Sequence, residues 1–473
     1  MTDSARTAAI VLAAGAGSRF GGGKLVARLD GRPLLDHVLG AIAECGLAGT
    51  IVVIGPGSSD LAAIAVAREA QVIVNPAPGD GLSSSVRVGL GAIEAMDLDG
   101  ALVVLGDQPR TSAATVRALL GAEVPAGRLI VVPRYRGGGG ANPALLLRTA
   151  WPLAARLEGD RGFGPLIQEH PELVLEVDLP GDNPDVDTRT DLAAIAESGW
   201  SRRVVANRDQ VERIREVPDG ADFYAPVRSL FRADPTRTDD PVLARLLELI
   251  QPGDRWLDVG AGAGRFALPL ARALEPSGGE VVALDASPSM LAGLRELAEE
   301  HGIRNVRPVE GRWPPEAGSG HSVEAFSADV ALIAHVGYDV EAIGPFLDAL
   351  EAAAGRRCVA VMMEHVPASA ADPFWPAVHG EDRETLPALP EFVELLTSRG
   401  RTVEVTHLPP EARRFESRAA IEGFARRQLW IDPAGPKEAR FQAALETLAG
   451  RADGGWAIRG RPANAIGVVS WRP

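Results

Sequence analysis

Two glycine-rich loops carry the residues of this sequence that are best suited to chemistry. The first loop, residues 12–25, reads LAAGAGSRFGGGKL and contains Gly15, Gly17, Arg19 and Lys24. Glycines allow backbone amide groups to approach phosphate oxygens closely, and a basic pair compensates the negative charge of the phosphates. The P-loop spacing GxxxxGK[ST] is absent because a leucine follows Lys24, so the loop predicts a phosphate cradle of another kind.

Two carboxylates in the same half are candidates for binding a divalent metal. Asp107 lies in LGDQP at the end of a predicted strand, where α/β folds bind their ligands. Asp187 lies in DVDT, which again follows a strand and precedes a helix. Magnesium in phosphate sites is commonly held by one or two carboxylates. Asp107 is therefore a predicted metal ligand, and Asp187 is either a second ligand or the cap of the following helix.

The second glycine-rich loop, residues 256–265, reads WLDVGAGAGR and also follows a predicted strand. A dinucleotide fingerprint, GxGxxG, is excluded because an arginine stands where its third glycine belongs. The pattern is instead DxGxGxG, formed by Asp258, Gly260, Gly262 and Gly264. The loop therefore predicts a cofactor site of a different kind.

Alternating strands and helices are predicted to position the residues of the first half. Apolar β-branched runs predict strands at residues 9–13, 50–54, 71–74, 101–105 and 128–132. Helical periodicity is found over residues 34–45 and 60–70. Strands that are apolar throughout are typical of a parallel sheet covered by helices on both faces. The prediction is a doubly wound, Rossmann-like α/β/α domain.

A second series of the same kind begins near Pro241. Strands are predicted at residues 255–259, 280–284, 329–334 and 358–363. Helices are predicted at residues 269–274, 288–300 and 342–354. A polar segment with three prolines precedes this series. We therefore expect one domain at residues 1–199, a linker with a lead-in helix at 200–240, and a second α/β domain at 241–473.

Composition and charge narrow the possible functions. With 46% hydrophobic and 23% charged residues, the 473-residue chain has the balance of a globular protein. Its formal net charge of −15 argues against a nucleic-acid binder, which needs clustered Lys and Arg. Cys45 and Cys358 form no disulfide framework, and no apolar run approaches the roughly 20 residues that span a bilayer. Since no export signal is recognisable, we expect a cytoplasmic protein whose partners are small molecules, with no nucleic acid or membrane.

The segments LAAGAGSRFGGGKL, GDQP and DVDTRTDL resemble the motifs of the MobA-like NTP transferase family, in particular its molybdenum cofactor cytidylyltransferase branch. Segments 81–85, 141–143 and 159–162 are also similar to family motifs, in the same order, and the likeness covers residues 7–195. It implies that a substrate phosphate attacks the α-phosphorus of a nucleoside triphosphate and that pyrophosphate leaves. Asp107 and Asp187 would hold Mg²⁺, and Arg19 and Lys24 would hold the triphosphate.

The same resemblance also implies which residues bind the nucleotide, which nucleotide is used and which acceptor receives it. The nucleotide-binding residues that it implies are Leu12, Ala13, Gly15, Gly17, Arg19, Lys24, Ser83 and Ser84. The two serines are candidate base or ribose contacts, although such hydroxyls also cap helices. The guanylyltransferase branch reads LAGG where this chain has LAAG, so the resemblance favours CTP over GTP, and another NTP is the alternative. A phosphorylated pterin such as molybdopterin is the expected acceptor, and a sugar-phosphate nucleotidyltransferase is the alternative.

The loop WLDVGAGAGR resembles motif I of the class I S-adenosylmethionine (SAM)-dependent methyltransferases. The resemblance implies that Asp258 and the three glycines cradle SAM and that Asp285, at the end of the next strand, binds the ribose hydroxyls. Met290 packs on the adenine or belongs to the core. Arg312 and Trp313 occupy the place of the family's adenine-edge contact, where an acidic residue is commoner.

The methyl acceptor is predicted to lie beside residues 334–339, AHVGYD, after the fourth strand of the second series. His335 and Tyr338 are the candidate bases for removing a proton from the acceptor. A lone histidine at a strand end can equally serve as a structural hydrogen-bonding group. The alternative is therefore a second half that binds SAM only as a regulatory or structural module.

Overall fold

The computed structural model describes residues 3–159, 163–218, 232–316, 320, 322–411, 413–461 and 463–473. By its internal contacts the chain divides into two compact units, Met1–Ala194 and Ile195–Pro473.

The first unit contains one seven-stranded sheet and one short hairpin. Its strands are β1 (Thr7–Ala13), β2 (Arg28–Leu29), β3 (Arg32–Pro33), β4 (Gly49–Ile54), β5 (Gln71–Val74), β6 (Gly100–Leu105), β7 (Ile130–Tyr135), β8 (Ala144–Leu147) and β9 (Val174–Leu179). The hairpin is β2–β3, and the sheet has the order β5-β4-β1-β6-β8-β7-β9. The five strands predicted in this half, which are β1, β4, β5, β6 and β7, all run in the same direction as expected, and the strand β8, which was not predicted, runs antiparallel to both of its neighbours. The run ALLL of β8 is as apolar as the parallel strands, so its composition does not reveal its direction.

Helices cover both faces of this sheet. They are α1 (Leu34–Ala43), α2 (Ser59–Ala67), α3 (Leu82–Ile93), α4 (Ala113–Leu120), α5 (Gly164–Glu169) and the start of α6 (Arg189–Ile214). Successive residues of β1 point to opposite faces. Ile10 packs with Val86 of α3 on one face, and Val11 packs with Leu35 of α1 on the other. A side chain at Gly89 would collide with Ile10, so this glycine allows α3 to lie close to β1.

The second unit is built on a mixed seven-stranded sheet. Its strands are β10 (Arg255–Val259), β11 (Glu280–Asp285), β12 (Val306–Glu310), β13 (Ala328–Ala334), β14 (Ala354–Met363), β15 (Val403–Glu411), β16 (Ala449–Ala452), β17 (Gly455–Ile458) and β18 (Asn464–Trp471). The sheet order is β12-β11-β10-β13-β14-β18-β15, and β16–β17 form a separate hairpin. The four strands predicted from sequence match β10, β11, β13 and β14. The antiparallel strand β18 lies between β14 and β15.

The helices of the second unit pack into three groups of buried side chains. They are α7 (Pro241–Leu247), α8 (Ala267–Leu274), α9 (Pro288–Glu300), α10 (Ile343–Ala353), α11 (Trp375–His379), α12 (Leu389–Ser398), α13 (Arg418–Gln428) and α14 (Glu438–Leu448). One face of the sheet packs on α7, α8 and α9, and the other on α10 and α12. A further apolar cluster joins α11, α13 and α14, and we call these three helices with the β16–β17 hairpin the helical lobe.

Helix α6 runs without interruption across residue 200, where the linker was expected to begin. Its apolar residues explain the continuity, because Trp200 and Val204 are buried in the core of the second unit and Val211 in the helical lobe. Residues 219–231 of the predicted linker lie outside the described part of the chain. In the part that is described, no helix has both the length and the apolar character needed to cross a membrane.

Candidate active sites of the two units

The glycine-rich loop of the first unit, residues 12–25, leads from β1 to the β2–β3 hairpin, and we call it the phosphate loop after its predicted ligand. Leu12 and Ala13 are the buried end of β1, and Gly17, Gly21, Gly22 and Gly23 all have positive φ. Among the described residues, the amide groups of Gly15 and Ala16 and that of Gly17 have no hydrogen-bond acceptor. Because Gly15 and Ala16 are also exposed, their N–H groups are available to an incoming anion. The loop thus has the open amide groups that the sequence predicted.

The basic residues of the loop meet the two predicted metal ligands. Lys24 Nζ lies 2.5 Å from Asp107 Oδ2 and 3.4 Å from Asp187 Oδ1. Arg19 lies 3.0 Å from the other oxygen of Asp187. Asp107 and Asp187 are brought together by the backbone, since the N–H of Val186 donates to the carbonyl of Asp107. The four side chains form one cluster at the carboxyl edge of the sheet.

The alternative interpretation of Asp187, as a helix cap, is wrong. The cap of α6 is a capping box made by Thr188 and Asp191. Thr188 Oγ1 accepts from the N–H of Asp191, while Asp191 Oδ2 accepts from the N–H of Thr188. The same Asp191 oxygen also accepts from the N–H of Asp187 at 3.0 Å. The Asp187 carboxylate therefore remains free for the cluster, and Asp191 holds its backbone.

A third carboxylate, Asp185, lies behind the cluster. Burial and the nearby Asp107 raise the pKa of Asp185, while a hydrogen bond from Gln108 Nε2 at 2.8 Å opposes this shift. Gln108 is itself buried and accepts from Asn183 Nδ2 at 3.2 Å. Asp185 and Gln108 belong to segments that the sequence identified, but their polar network, which includes Asn183, was not predicted.

The carboxylates fit a divalent cation that is completed by ligands from a substrate. Asp107 and Asp187 both reach one positively charged atom, Lys24 Nζ. Within the described ranges no three His, Cys, Asp or Glu side chains are close enough to hold a metal by themselves. Magnesium is usually bound by one or two carboxylates with substrate phosphates and water, rather than by a complete protein cage. The donor set is consistent with that mode of binding.

The serines of the segment 81–85 serve the fold in this structure. Ser84 Oγ donates to the carbonyl of Gly81 at 2.8 Å and accepts from Asn75 Nδ2 at the same distance. Ser83 is 1% exposed, and its hydroxyl has no hydrogen-bond partner among the residues that the structure describes. Asn142 contributes its carbonyl to Tyr135 and Asn183. Of the segment 159–162, residues 160–162 lie outside the described part of the chain.

In the second unit, the glycine-rich loop is held at the carboxyl edge of the sheet. The N–H groups of Gly260 and Ala261 donate to the carbonyl of Leu284. The N–H of Gly262 donates to Asp285 Oδ2 at 2.7 Å, and that of Ser287 donates to Asp285 Oδ1 at 2.8 Å. Asp285 therefore joins the glycine loop to the turn before α9. The glycines Gly260, Gly262 and Gly264 all have positive φ.

Asp258, at the start of the motif, is buried directly beneath this loop. Asp258 is 2% exposed, and within the described part of the chain its Oδ1 atom has no hydrogen-bond partner. Burial and the nearby Asp285 raise the pKa of Asp258 to about 7. Such a shift is typical of a carboxylate that has been removed from water without a compensating cation.

The three predicted adenine contacts differ in their positions. Met290 is buried in the first turn of α9, and Arg312 is exposed. The indole N–H of Trp313 donates to the carbonyl of Phe346, and its ring packs edge-on against Phe326. Trp313 is thus anchored in the core of the unit.

The two candidate bases have distinct environments. Tyr338 is buried, its hydroxyl accepts from the N–H of Met363 at 2.7 Å, and burial raises its pKa. A phenol of this kind resists deprotonation and serves as a structural hydrogen-bonding group. His335 has a φ of 59°, and its buried Nδ1 has no hydrogen-bond partner in the described ranges. Burial and the nearby Arg265 lower the pKa of His335 to about 4, so its imidazole is neutral at neutral pH.

An ion pair behind the glycine loop was not predicted. Asp240 caps α7 through the N–H groups of Val242 and Leu243, and its other oxygen pairs with Arg237 and Arg265. The sequence signal was the residue pair Asp240-Pro241, since an acidic cap before proline is a common helix start. Arg265, the residue that replaces the third glycine of a dinucleotide motif, thereby anchors the loop to α7.

Comparisons with known proteins identify both halves. Residues 9–177 match the model of the MobA-like NTP transferase domain, and residues 257–343 match that of a methyltransferase domain. Bifunctional protein GlmU of Acidovorax sp. (strain JS42) is 31% identical over 338 residues, or 67% of this chain. The chain spans only 58% of the length of that relative.

Two solved structures are also similar. Rv0371c from Mycobacterium tuberculosis H37Rv is 29% identical, with a TM-score of 0.36 over 41% of this chain and 98% of its own. A putative methyltransferase from Bacillus halodurans C-125 is 14% identical, with a TM-score of 0.33 over 49% of this chain and 98% of its own. On these matches, the chain contains a MobA-like NTP transferase domain in its first unit and a methyltransferase domain in its second.

Proposed function

We propose that the first unit transfers CMP from CTP to the phosphate of a phosphorylated pterin such as molybdopterin, with release of pyrophosphate. The observation that supports this proposal is the cluster of Asp107 and Asp187 around Lys24, beside a loop in which the amide groups of residues 15–17 have no acceptor among the described residues. Positive charge, open N–H donors and paired carboxylates together are the groups that a metal-bound triphosphate requires.

Each residue of the cluster has a distinct role in this reaction. Lys24 and Arg19 bind the triphosphate, and the loop amides from Gly15 to Gly17 cradle it. Asp107 and Asp187 would hold Mg²⁺, which when bound neutralises charge on the phosphates. The acceptor phosphate forms the new bond to the α-phosphorus while the bond to pyrophosphate breaks. No nucleophile from the protein is needed, because positioning and electrostatics supply most of the catalysis in such transfers.

The choice of substrates depends on the family resemblance. The sequence LAAG in the phosphate loop supports CTP, because the guanylyl-transferring branch has LAGG at these positions. The similarity to GlmU keeps a sugar phosphate as the second candidate acceptor.

The test is pyrophosphate release by the full chain with Mg²⁺ and each of the four nucleoside triphosphates. Each reaction contains molybdopterin, a sugar phosphate or no acceptor. We expect release only with CTP and molybdopterin together. Release with a sugar phosphate would overturn the assignment of molybdopterin as the acceptor. Release with GTP would overturn the preference for CTP. An absence of release in every combination would overturn nucleotidyl transfer itself.

We further propose that the second unit binds SAM and transfers its methyl group to a small acceptor. The supporting observation is that Asp285, at the end of β11, binds the amide groups of Gly262 and Ser287 and so places a carboxylate between the glycine-rich loop and the turn before α9, where the family resemblance expects the ribose contact. SAM already carries the reactive methyl sulfonium, so the protein has mainly to orient the acceptor.

Binding of SAM without transfer is the second candidate for this unit. It is favoured by the environment of Tyr338, whose hydroxyl is occupied by Met363 and whose deprotonation is opposed by burial. His335 is neutral, and its Nδ1 has no partner among the described residues, but a pKa of about 4 makes it a weak base at neutral pH.

SAM titration by calorimetry tests the cofactor assignment. In Asp285→Asn an amide NH₂ replaces one of two accepting oxygens and would face a backbone N–H. We expect at least a tenfold loss of SAM affinity, on the order of 1.5–3 kcal/mol for a charge-assisted hydrogen bond. Glu280→Gln is the matched control, because Glu280 is exposed at the opposite end of the same strand. Equal affinities of the two variants would overturn the role of Asp285.

A further inference from the structure

We propose that the methyl acceptor of the second unit carries an oxyanion, a carboxylate or a phosphate, which Arg461 binds in a cavity between β14 and the helical lobe. This inference depends on the proposed methyl-transfer function. The cavity has a volume of about 290 Å³, and its polar lining includes His365, Ser369, Asp372, Arg461 and Asn464. Small-molecule sites commonly have volumes of roughly 300 Å³ or more, so a small acid or the anionic end of a larger molecule fits this space.

The cavity lies at the same edge of the sheet as the glycine-rich loop. His365 follows the carboxyl end of β14 by two residues, and β14 is the second strand from β10, which leads into that loop. Neighbouring strands are about 4.8 Å apart, so the two strands are separated by roughly 10 Å. The loop after β13 lies between them, and the N–H of its residue His335 donates to the carbonyl of Val361 in β14. An acceptor anchored in the cavity could therefore extend toward the SAM site.

One wall of the cavity is fixed by a two-point hydrogen bond. Asn464 Oδ1 accepts from the N–H of His365 at 3.0 Å, and Asn464 Nδ2 donates to the carbonyl of His365 at 2.7 Å. The amide of Asn464 thus pairs with the backbone like a neighbouring strand. This pairing fixes the cavity wall through the backbone of His365. The imidazole of His365 and the hydroxyl of Ser369 take no part in it.

Arg461 carries the argument for an anion. Its Nη1 atom is buried and has no hydrogen-bond partner among the described residues. The carboxylate that lines the cavity, Asp372, forms its short ion pair with Arg383 at 2.8 Å and acts on Arg461 only through its charge, without accepting a hydrogen bond from Nη1. Leaving a buried guanidinium donor unpaired costs free energy, which an oxyanion ligand would recover through charge-assisted hydrogen bonds. A neutral ligand would recover less of it.

A second arginine adds to the positive potential near the cavity. Arg413 lies over the rings of Phe415 and Phe424, at 5.2 Å and 4.2 Å from their centroids. Within the described ranges no carboxylate forms an ion pair with Arg413. Burial and the neighbouring Arg461 lower the pKa of Arg413, as expected for two guanidinium groups held near each other. The local excess of positive charge favours an anionic ligand although the whole chain is acidic.

Calorimetric titration of the full chain with benzoate and, separately, with inorganic phosphate tests this inference. The variants are Arg461→Gln, which removes the charge, Arg461→Lys, which keeps it, and Arg472→Gln, which changes an exposed arginine elsewhere. We expect Arg461→Gln to weaken binding of at least one anion about tenfold or more, since a charge-assisted hydrogen bond is lost. Arg461→Lys should be intermediate, and Arg472→Gln should match the wild type. The difference between variants also separates this site from the phosphate loop of the first unit.

SAM titration of the same samples distinguishes a failure of the anion-site inference from a failure of the proposed methyl-transfer function. Unchanged SAM affinity in Arg461→Gln shows that the variant is folded and that any loss of anion binding belongs to the cavity. If the wild type binds neither anion at concentrations up to about 50 mM, or if Arg461→Gln binds both as tightly as the wild type, the inference is overturned. If SAM itself does not bind the wild type, the proposed function of the second unit fails, whatever the anions do.

Discussion

The ammonium group of Lys24 lies 2.5 Å from a carboxylate oxygen of Asp107, although the two residues are 83 positions apart in the sequence. The contact joins the loop after β1 to the end of β6, two parallel strands that are neighbours in the sheet. The same ammonium also reaches Asp187, which pairs with Arg19 as well, so two cations balance two carboxylates in the cluster. If a triphosphate and a divalent cation entered together, phosphate oxygens would accept from Lys24 and Arg19, and Asp107 and Asp187 would hold the metal.

This arrangement predicts that Asp107 is indispensable for nucleotidyl transfer. In Asp107→Asn the cluster loses one negative charge, while the side chain keeps its size. We expect the rate of CTP-dependent pyrophosphate release to fall by about 10² to 10³, the range for losing one preorganised electrostatic contact at a transition state. Asp97→Asn is the control, since Asp97 is exposed and pairs only with surface groups. Activity of Asp107→Asn within a few-fold of the control would exclude Asp107 from the site.

A second prediction concerns Asp191, which acts on the cluster through the backbone. Its Oδ2 atom accepts from the N–H groups of Asp187 and Thr188 and from the Thr188 hydroxyl. Asp191→Ala should cost about 1–2 kcal/mol of stability, as expected for a lost helix cap. Because the backbone of Asp187 is released as well, the Mg²⁺ concentration that gives half-maximal activity should rise several-fold.

A matched helix-cap variant separates these two effects. Ser112→Ala removes the side-chain cap of α4, where Ser112 Oγ accepts from the N–H of Thr115. It should lower stability by a similar amount without changing the Mg²⁺ dependence. If both variants shift the Mg²⁺ requirement equally, Asp191 acts through general stability and not through Asp187.

Much of each site was predictable because local sequence patterns encode loops and strand ends. The phosphate loop, Asp107, Asp258 and Asp285 all lie where a strand ends in a parallel α/β pattern, and the structure places them at that edge. What the sequence could not resolve was which partner each side chain would take. The role of Asp187, metal ligand or cap, depended on whether Thr188 and Asp191 would form the capping box.

The unpredicted features are those created by contacts between distant parts of the chain. The direction of β8 is set by its pairing with β6 and β7, and nothing in its four apolar residues specifies it. Tyr338 was a candidate base by position alone, but its hydrogen bond to Met363 depends on the packing of β13 beside β14. The cavity at Arg461 likewise forms only when β18 returns to the sheet beside β14, more than 90 residues after that strand ends.

Two glycines in the glycine-rich loop of the second unit allow the cost of a steric clash to be separated from the cost of backbone strain. Gly260 and Gly262 have φ values of 76° and 55°, so alanine is strained at both positions. A Cβ atom at Gly260 would lie 2.4 Å from Cγ2 of Val336, whereas one at Gly262 would meet no atom within 4 Å. Gly260→Ala should therefore be less stable than Gly262→Ala by about 1–3 kcal/mol, the usual cost of overpacking.

Urea unfolding monitored by tryptophan fluorescence measures this difference in the second unit. Seven of the eight tryptophans follow residue 195, and Trp151 is the exception. Gly262→Ala should instead mainly weaken SAM binding, because its added methyl group points into open space beside Asp285. Equal stability of the two variants would show that Val336 does not pack on Gly260 as the structure describes.

The buried carboxylate of Asp258 makes the stability of the second unit depend on pH. Its pKa is raised from 3.8 to about 7 in the folded protein, so between these values the folded state holds a proton that the unfolded state releases. The free energy of unfolding must therefore fall as the pH rises from about 4 to about 7 and then level off. At 1.36 kcal/mol for each pKa unit, the total contribution is on the order of 4 kcal/mol.

Comparison of the wild type with Asp258→Asn isolates this contribution. His335 and His379 have pKa values lowered to about 4, so they act in the opposite direction, stabilising the folded state as the pH rises toward 6.5. Both proteins contain these histidines, and their effects cancel in the difference. Relative to the wild type, Asp258→Asn should become progressively more stable between pH 4 and 7 and keep a constant advantage above pH 7.

Fluorescence-monitored urea unfolding at several pH values measures this difference in stability, with Asp453→Asn as an exposed control. Parallel stability curves for Asp258→Asn and the wild type would show that Asp258 is ionised in the folded protein throughout this range.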